Sequence, residues 1–527
     1  MAGERQRINE LIDAGIANYE QIRKEVNDAL PPPEPSTKVL YVKVGESVQN
    51  AFNTLEPTGG IIKLQPGNHD GDLSFPERAP DSKVVFFTSD SQNLPSDTQM
   101  IDPSYVPAMG VLQSVAATTP LARYKNKNKN ISFVNVGFGP PKTKSYTTID
   151  IGGDKRAMPL PEDRPDGFVF DRIYVYGDPA LGAHRGIALN GMNIRVVNSY
   201  FKDVFEFGRD SQALGAWNGA QNVTIENCYL EGGAENIMFG GSDSASPEMT
   251  CQDITIRNCH LAKNIEWMKL GTGPSIKCLF EIKNVKRLRM ENCLLENNWA
   301  RDWSSGVALM LKACNGENIE TWATCEDVTL ENIVLRNVGS VFGIIGKNDS
   351  GRVSDWMRRV KLSNILAYNI NIAPWTGTGR GCPIANGAEE YFAMDHITMH
   401  TNQHSWMYFY VDSGIVKSPG KLIVTNSVMA ESDYGYISAK NGIGFGAVDK
   451  DWTGAQIEGN VFRQGIRAQG TVPANNLRLP GSAWDASFGT DHEILPGSEA
   501  SKVKTTDGKL PGADVALLQQ KLGDMFD

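Results

Sequence analysis

Between residues 135 and 460 the chain repeats one short phrase, in which apolar and polar residues alternate and an asparagine closes the run. Val223-Thr-Ile-Glu-Asn227 and Ile254-Thr-Ile-Arg-Asn258 are plain copies. Residues 194–199, 288–293, 328–333, 360–365 and 422–427 write it again at intervals of about 28 to 40 residues, the spacing of a solenoid. A period of two puts Val223 and Ile225 on one face and Thr224 and Glu226 on the other, which is a strand with one buried side. So short a repeat holds three strands and three bends, but not a strand, a covering helix and two loops. The fold expected is therefore all-β, a single-stranded right-handed parallel β-helix with three-strand coils, about ten of them over residues 130–460. Asparagine suits the closing bend because it tolerates left-handed backbone, and its amide can bond the same amide one coil above. Asn227, Asn258 and Asn292 are thus expected in a vertical row. Cys228, Cys259 and Cys293 follow them directly, which predicts a column of small buried sulfurs.

Outside the repeat the pattern changes. Ile8, Leu11, Ile12, Ile16, Tyr19, Ile22, Val26 and Leu30 recur at helical spacing, so residues 1–30 read as a short N-terminal helical attachment segment, marginal on its own. Pro31 to Pro35 stiffens a spacer over residues 31–38. Residues 39–125 read as a strand-rich opening and capping region, 126–465 as the β-helix body, and 466–527 as an irregular segment with a terminal helix near Gly512–Leu522.

The net charge of −10 comes without a basic stripe and argues against nucleic acid. No run of 18 apolar residues suggests membrane insertion, and no apolar signal region follows Met1, so synthesis in cytoplasm without a signal peptide is expected. Eight cysteines in 527 residues suit a reducing compartment better than a disulfide framework. His396 and His400 lack a third ligand for zinc, so no metal ligands and no cofactor are assigned. Asp and Asn oxygens leave room for Ca²⁺, though no EF-hand loop is present.

The densest chemistry lies at His184-Arg185, Gly208–Ala213, Trp217–Gly219 and Glu235–Asp243, where polar residues replace the expected apolar strand. Residues one coil apart stack, so His184, Asp210, Glu235 and Glu281 are expected on one lateral face. Asp210 and Glu235, with Glu281, are the candidate catalytic carboxylates, because two carboxyls in different surroundings can hold different protonation states across a glycosidic bond. Arg185, Arg209 or Lys269 could instead serve an elimination on a uronate. His184, Gln212, Asn218, Asn236 and Lys283 join the candidate substrate-binding set, and Trp217, Trp267 and Trp299 offer flat faces for sugar rings. The competing reading is a polar turn stack that bridges coils and does no chemistry.

The stretch from His184 to Asp243, continuing through Phe280-Glu-Ile-Lys-Asn284 and Glu296-Asn-Asn-Trp299, resembles bacterial pectate-lyase-like β-helix proteins. That resemblance implies the architecture and no catalytic assignment. With no signal region and with an added attachment segment, the chain is similar to the tailspikes of tailed bacteriophages. By that analogy it is expected to be a homotrimeric virion appendage that joins other virion proteins through residues 1–30 and binds, and in some cases depolymerises, host surface polysaccharide. A cellular polysaccharide lyase or glycoside hydrolase, and a non-catalytic structural or decoration protein of a particle, are the alternatives.

Overall fold

The computed structural model describes residues 38–526 except 56–57, 76–82, 89–92, 116–119, 125–126, 140–141, 143–144, 154, 157, 271–272, 302–303, 349–350, 402–403 and 412–413. The expected segment 1–30 and all of the proline run lie outside the described residues.

Alternation in the repeat produces strands that pair one coil apart, always parallel until a small closing hairpin at Tyr436–Ser438 and Gly442–Ile443. The register runs Ile194, Val223, Ile254, Leu288, Val328, Val360, Phe392 and Leu422, one residue per rung and all buried. The result is a right-handed parallel β-helix with a 24-stranded and a 13-stranded sheet wound about one apolar core. Strands on either side of residue 125 pair directly, as Val84–Thr88 does with Lys129–Val134.

The bends depend on backbone that β-branched residues cannot adopt cheaply. Asn198, Asn227, Asn258, Asn292, Asn332 and Asn364 all have φ between 50° and 55°. Their amides bond along the solenoid, Asn227 to Asn198 at 2.8 Å, Asn292 to Asn258 at 3.2 Å, Asn332 to Asn292 at 3.1 Å and Asn364 to Asn332 at 2.8 Å. A second row follows one bend later, with Asn337 on Asn297 and Asn369 on Asn337, each at 3.1 Å. All eight cysteines are free and buried.

Each end needs a cover, since an open rung would expose core and unpaired backbone. Helix Val48–Leu55 supplies one by turning Val48, Phe52 and Leu55 inward, with Phe52 edge-on to Phe75 at 4.6 Å. The terminal helix Val515–Leu522 does a different job. It lies along the side of the solenoid, sealing Leu294, Val334 and Leu366 with Val515, Leu518 and Leu522.

Nine consecutive strands of the 13-stranded sheet position the candidate site: β1 (Ser145–Ile151), β2 (Ala183–Leu189), β3 (Gln212–Ala216), β4 (Glu235–Phe239), β5 (Phe280–Ile282), β6 (Val307–Lys312), β7 (Ser340–Ile345), β8 (Arg380–Ala385) and β9 (Ser405–Tyr410). Ile187, Leu214, Ile237, Phe280, Leu309 and Phe342 stack inward along them. The row Asp150, Ala188, Gly215, Met238, Glu281, Met310 and Gly343 runs along the opposite, outer side.

Candidate functional site

Parallel register sets Arg185 of β2 opposite Gln212 of β3, and Gln212 opposite Glu235 of β4. These neighbours form a polar relay across the rungs. Arg185 Nε donates to Gln212 Oε1 at 2.9 Å, and Gln212 Nε2 donates to Glu235 Oε2 at 2.8 Å. Lys277, in the segment leading into β5, ends the relay. Its Nζ lies 2.5 Å from Glu235 Oε1, 3.2 Å from Asp210 Oδ2 and 3.3 Å from Glu281 Oε2. Lys283 adds a second cation 3.4 Å from Glu281.

Burial makes this cluster chemically unequal. The side chains of Glu235 and Glu281 are 0% and 5% exposed, whereas Asp210 keeps 44% and forms the mouth. Burial and the neighbouring Glu281 push the Glu235 carboxyl above its ordinary range, against the pull of Lys277. Burial also works to raise Glu281, but Lys283 and Lys277 outweigh it and bring that carboxyl down to about 2. Lys277 is held firmly as an ammonium, since Glu235 and Glu281 more than offset the burial that would lower it. Two adjacent carboxyls are thus driven apart in acidity, the pattern that separates an acid from a base.

A buried lysine supports the cluster from below. Lys263 Nζ donates to the carbonyls of Gly232 and Gly233, each at 2.7 Å, and of Ala234 at 3.1 Å, fastening the turn that delivers Glu235. Burial lowers it to about 7. The carbonyl of Ala234 also accepts the backbone N–H groups of Lys277 and Cys278, so one turn carries both halves of the ion cluster. Carboxylate oxygens of Glu235 and Glu281 and the Cys278 sulfur lie within 4.8 Å of one another, the one grouping among the described residues with the reach to hold a metal ion. Lys277 Nζ lies against both of these carboxyls.

Two cavities flank the cluster on the same face. One, of about 290 Å³, is lined by Arg123, Tyr146, Asp150, Arg185 and Trp217, with the Arg185 guanidinium 4.5 Å over the Trp217 ring. The other, of about 390 Å³, lies beyond β5 and is lined by Val307, Met310, Arg380, Tyr408 and Tyr410.

Of the residues selected from sequence, Asp210, Gln212, Glu235, Glu281, Arg185 and Lys283 come together here, and Trp217 opens the first cavity. His184 stacks on Tyr146 at 4.5 Å, beside that cavity and not in the ion cluster. The others go elsewhere. Arg209 pairs with Glu206 at 3.4 Å, and Lys269 pairs with Glu266 on an exposed turn. Asn218 bridges coils through its amide to the Met158 carbonyl, and Asn236 does so to those of Leu230 and Ala262. Both are buried. Trp267 and Trp299 are corrected as sugar platforms: they are 2% and 6% exposed and pack in one apolar cluster with Phe205. Lys277 and Tyr146 escaped sequence reasoning. Lys277 belongs to no periodic phrase, although its spacing of four from Glu281 was a usable signal.

No protein-family model and no curated protein sequence matches the chain. Among solved structures it is similar to a PL6-family alginate lyase, with TM-score 0.54 and 11% identity over 93% of this chain and 59% of that one. It thus spans 59% of the length of that lyase. It is also similar to the catalytic unit of a GH87 α-1,3-glucanase from Streptomyces thermodiastaticus, with TM-score 0.46 and 10% identity over 83% and 71% of the two chains. A tailspike protein named Dettilon gives TM-score 0.28 and 12% identity over 84% and 68%. At such identities likeness speaks of fold alone, and by the first of these comparisons the chain has the right-handed parallel β-helix fold of the alginate lyase.

Proposed function

We propose that this protein binds a polysaccharide along the outer face of its 13-stranded sheet and cleaves a glycosidic bond at the Asp210–Lys277–Glu235 cluster. The observation that carries the proposal is that buried Glu235 and half-exposed Asp210 share the Lys277 ammonium, on a sheet face with a cavity to either side. Glu235, whose carboxyl burial pushes upward, is the donor of a proton to the leaving oxygen, and half-exposed Asp210 at the mouth is the nucleophile that holds the anomeric carbon until water releases it. Both touch the same Nζ, so their oxygens are at most about 6 Å apart, nearer the close spacing of a retaining glycosidase than that of an inverting one. Lys277 is too firmly protonated to act as a base. Its part is electrostatic: swinging toward the bound glycan, it exchanges a carboxylate partner for a substrate oxygen and uncovers Glu235.

The test is reducing-end release from a panel of purified surface glycans, with melting temperature followed in parallel. Asp210→Asn and Glu235→Gln should each lower release at least about tenfold at unchanged melting temperature. Unchanged release would clear both residues of catalysis, and a wild type that cuts nothing while both variants lose stability would favour the turn stack.

The biological setting is a separate proposal, supported by the amphipathic segment 1–30 and its proline spacer. We infer a homotrimeric, tailspike-like virion appendage that meets glycan on a host surface and joins other virion proteins through that segment. Deleting residues 1–35 should leave a folded, glycan-binding body that no longer assembles onto particles. Assembly at unchanged affinity would end this reading.

A further inference from the structure

The larger of the two cavities is lined by a cation that, among the described residues, no carboxylate pairs with. Arg380, at the start of β8, lies with its guanidinium carbon 4.1 Å over the ring of Tyr408. Its Nε is shielded from solvent and meets no acceptor, and among the described residues no carboxylate pairs with the guanidinium. That is unusual for this face. Lys277 and Lys283 are matched by carboxylates, and Arg185 Nε donates to Gln212. Stacking on Tyr408 fixes the plane of the Arg380 fork and leaves its edge to the cavity, whose other walls are Met310, Val307, Tyr410 and the Thr378 segment.

We propose that Arg380 anchors a distal subsite that binds an anionic substituent, a carboxylate or sulfate, on a sugar of the same glycan chain that occupies the Lys277 cluster. A planar guanidinium with unused donors matches such an oxyanion in bidentate fashion, and the tyrosine rings supply a flat apolar wall for the sugar bearing it. Position sets the reach. Strands β5 and β8 are three rungs apart, so the subsite lies about 14 Å along the groove from Glu281, several sugar units away. Net charge makes the local cation decisive. A protein carrying −10 repels a polyanion at long range, so affinity for one must come from short-range pairing. Cooperation between subsite and cluster would make the protein select long, acid-bearing chains over neutral or short ones.

This inference rests on the polysaccharide reading of the face, and the experiment separates the two. Calorimetry in the Asp210→Asn, Glu235→Gln background, where cutting is slowest, would compare hexasaccharides of galacturonate, mannuronate, guluronate and glucuronate with their carboxyl-reduced forms and with a sulfated neutral hexasaccharide. At least one charged hexamer should bind tenfold or more tighter than its uncharged counterpart, and the winner identifies carboxylate or sulfate. Arg380→Met should bring that ratio close to one at unchanged melting temperature. Arg380→Lys, which keeps the charge but loses the fork, should retain part of it. Equal binding of charged and neutral chains, or a ratio untouched by Arg380→Met, would overturn the subsite and leave the groove standing. Binding of no hexasaccharide at all would overturn both.

Discussion

On the outer face of the 24-stranded sheet, Arg257 meets Glu226 at 2.7 Å, Arg287 meets Asp253 at 2.6 Å and Arg359 meets Asp327 at 2.6 Å, each bond reaching one rung to a partly exposed partner. On the outer face of the 13-stranded sheet, one ammonium meets three carboxylates, two of them removed from water. Stacking alone explains the first arrangement, because parallel register sets opposite charges one rung apart and each such pair contributes little. It does not explain the second. Burying several charges costs more than their mutual attraction returns, and an apolar rung would hold the fold as well. Charge kept where stability does not require it is what makes the second face the candidate site.

Removing the cation at each face gives the largest expected difference. Lys277→Met leaves Asp210, Glu235 and Glu281 without their shared counter-ion and should lower the unfolding free energy by about 3 to 5 kcal/mol at neutral pH. The loss should shrink at pH 4, where the carboxylates can take up protons. Arg287→Met on the exposed ladder should cost within about 1 kcal/mol at either pH. Urea unfolding of both variants measures this, and equal losses would erase the distinction between the faces.

A second contrast sets a buried histidine against the hydrated charges. His400 packs against Trp484, Phe488 and His492 of the C-terminal arm, and burial, with His492 and Arg463 nearby, lowers its pKa to about 3. The unfolded imidazole titrates near 6.5, so between about pH 6.5 and 3 the unfolded chain binds the extra proton. Stability is therefore full above pH 6.5 and falls as pH drops toward 3. The arm over residues 480–526 should become protease-sensitive in that window, while His400→Phe should flatten the dependence. A dependence unchanged in that variant would assign it to other groups.

The smallest effect belongs to the bends. Asn332 accepts from Asn364, donates to Asn292 and holds φ at 54°, so Asn332→Ala should cost about 2 kcal/mol. Asn332→Gly, which relieves the backbone but loses the amide, should cost about half that. The ordering of the two variants in thermal unfolding is the check.

Much of this architecture is written in the asparagine phrase. Alternation decides which residues face inward, and a residue that accepts left-handed backbone decides where each strand ends, so the inward turn of Val223 and Ile225 is legible in the phrase itself. The meeting of Asp210, Glu235 and Glu281 follows from the same stacking. Their inequality does not, since it depends on Lys277 arriving from an irregular segment and on Lys263 holding the preceding turn. Irregular segments carry no period, and this is also why Trp299, just past a strand, read as a platform although it turns into an apolar cluster. Side-chain direction outside the repeat is set by tertiary packing.

The proposed chemistry belongs to the 13-stranded face and not to the 24-stranded one, and reducing-end release separates the two. Asp210→Asn with Glu235→Gln preserves volume and removes charge, and Arg287→Met with Arg359→Met does the same for the ladder. On any glycan that the wild type cuts, the first pair should lower release by at least about a hundredfold, with melting temperature unchanged, and the second should leave release within about twofold. Equal losses from both pairs, or undiminished release from the first, would contradict the account.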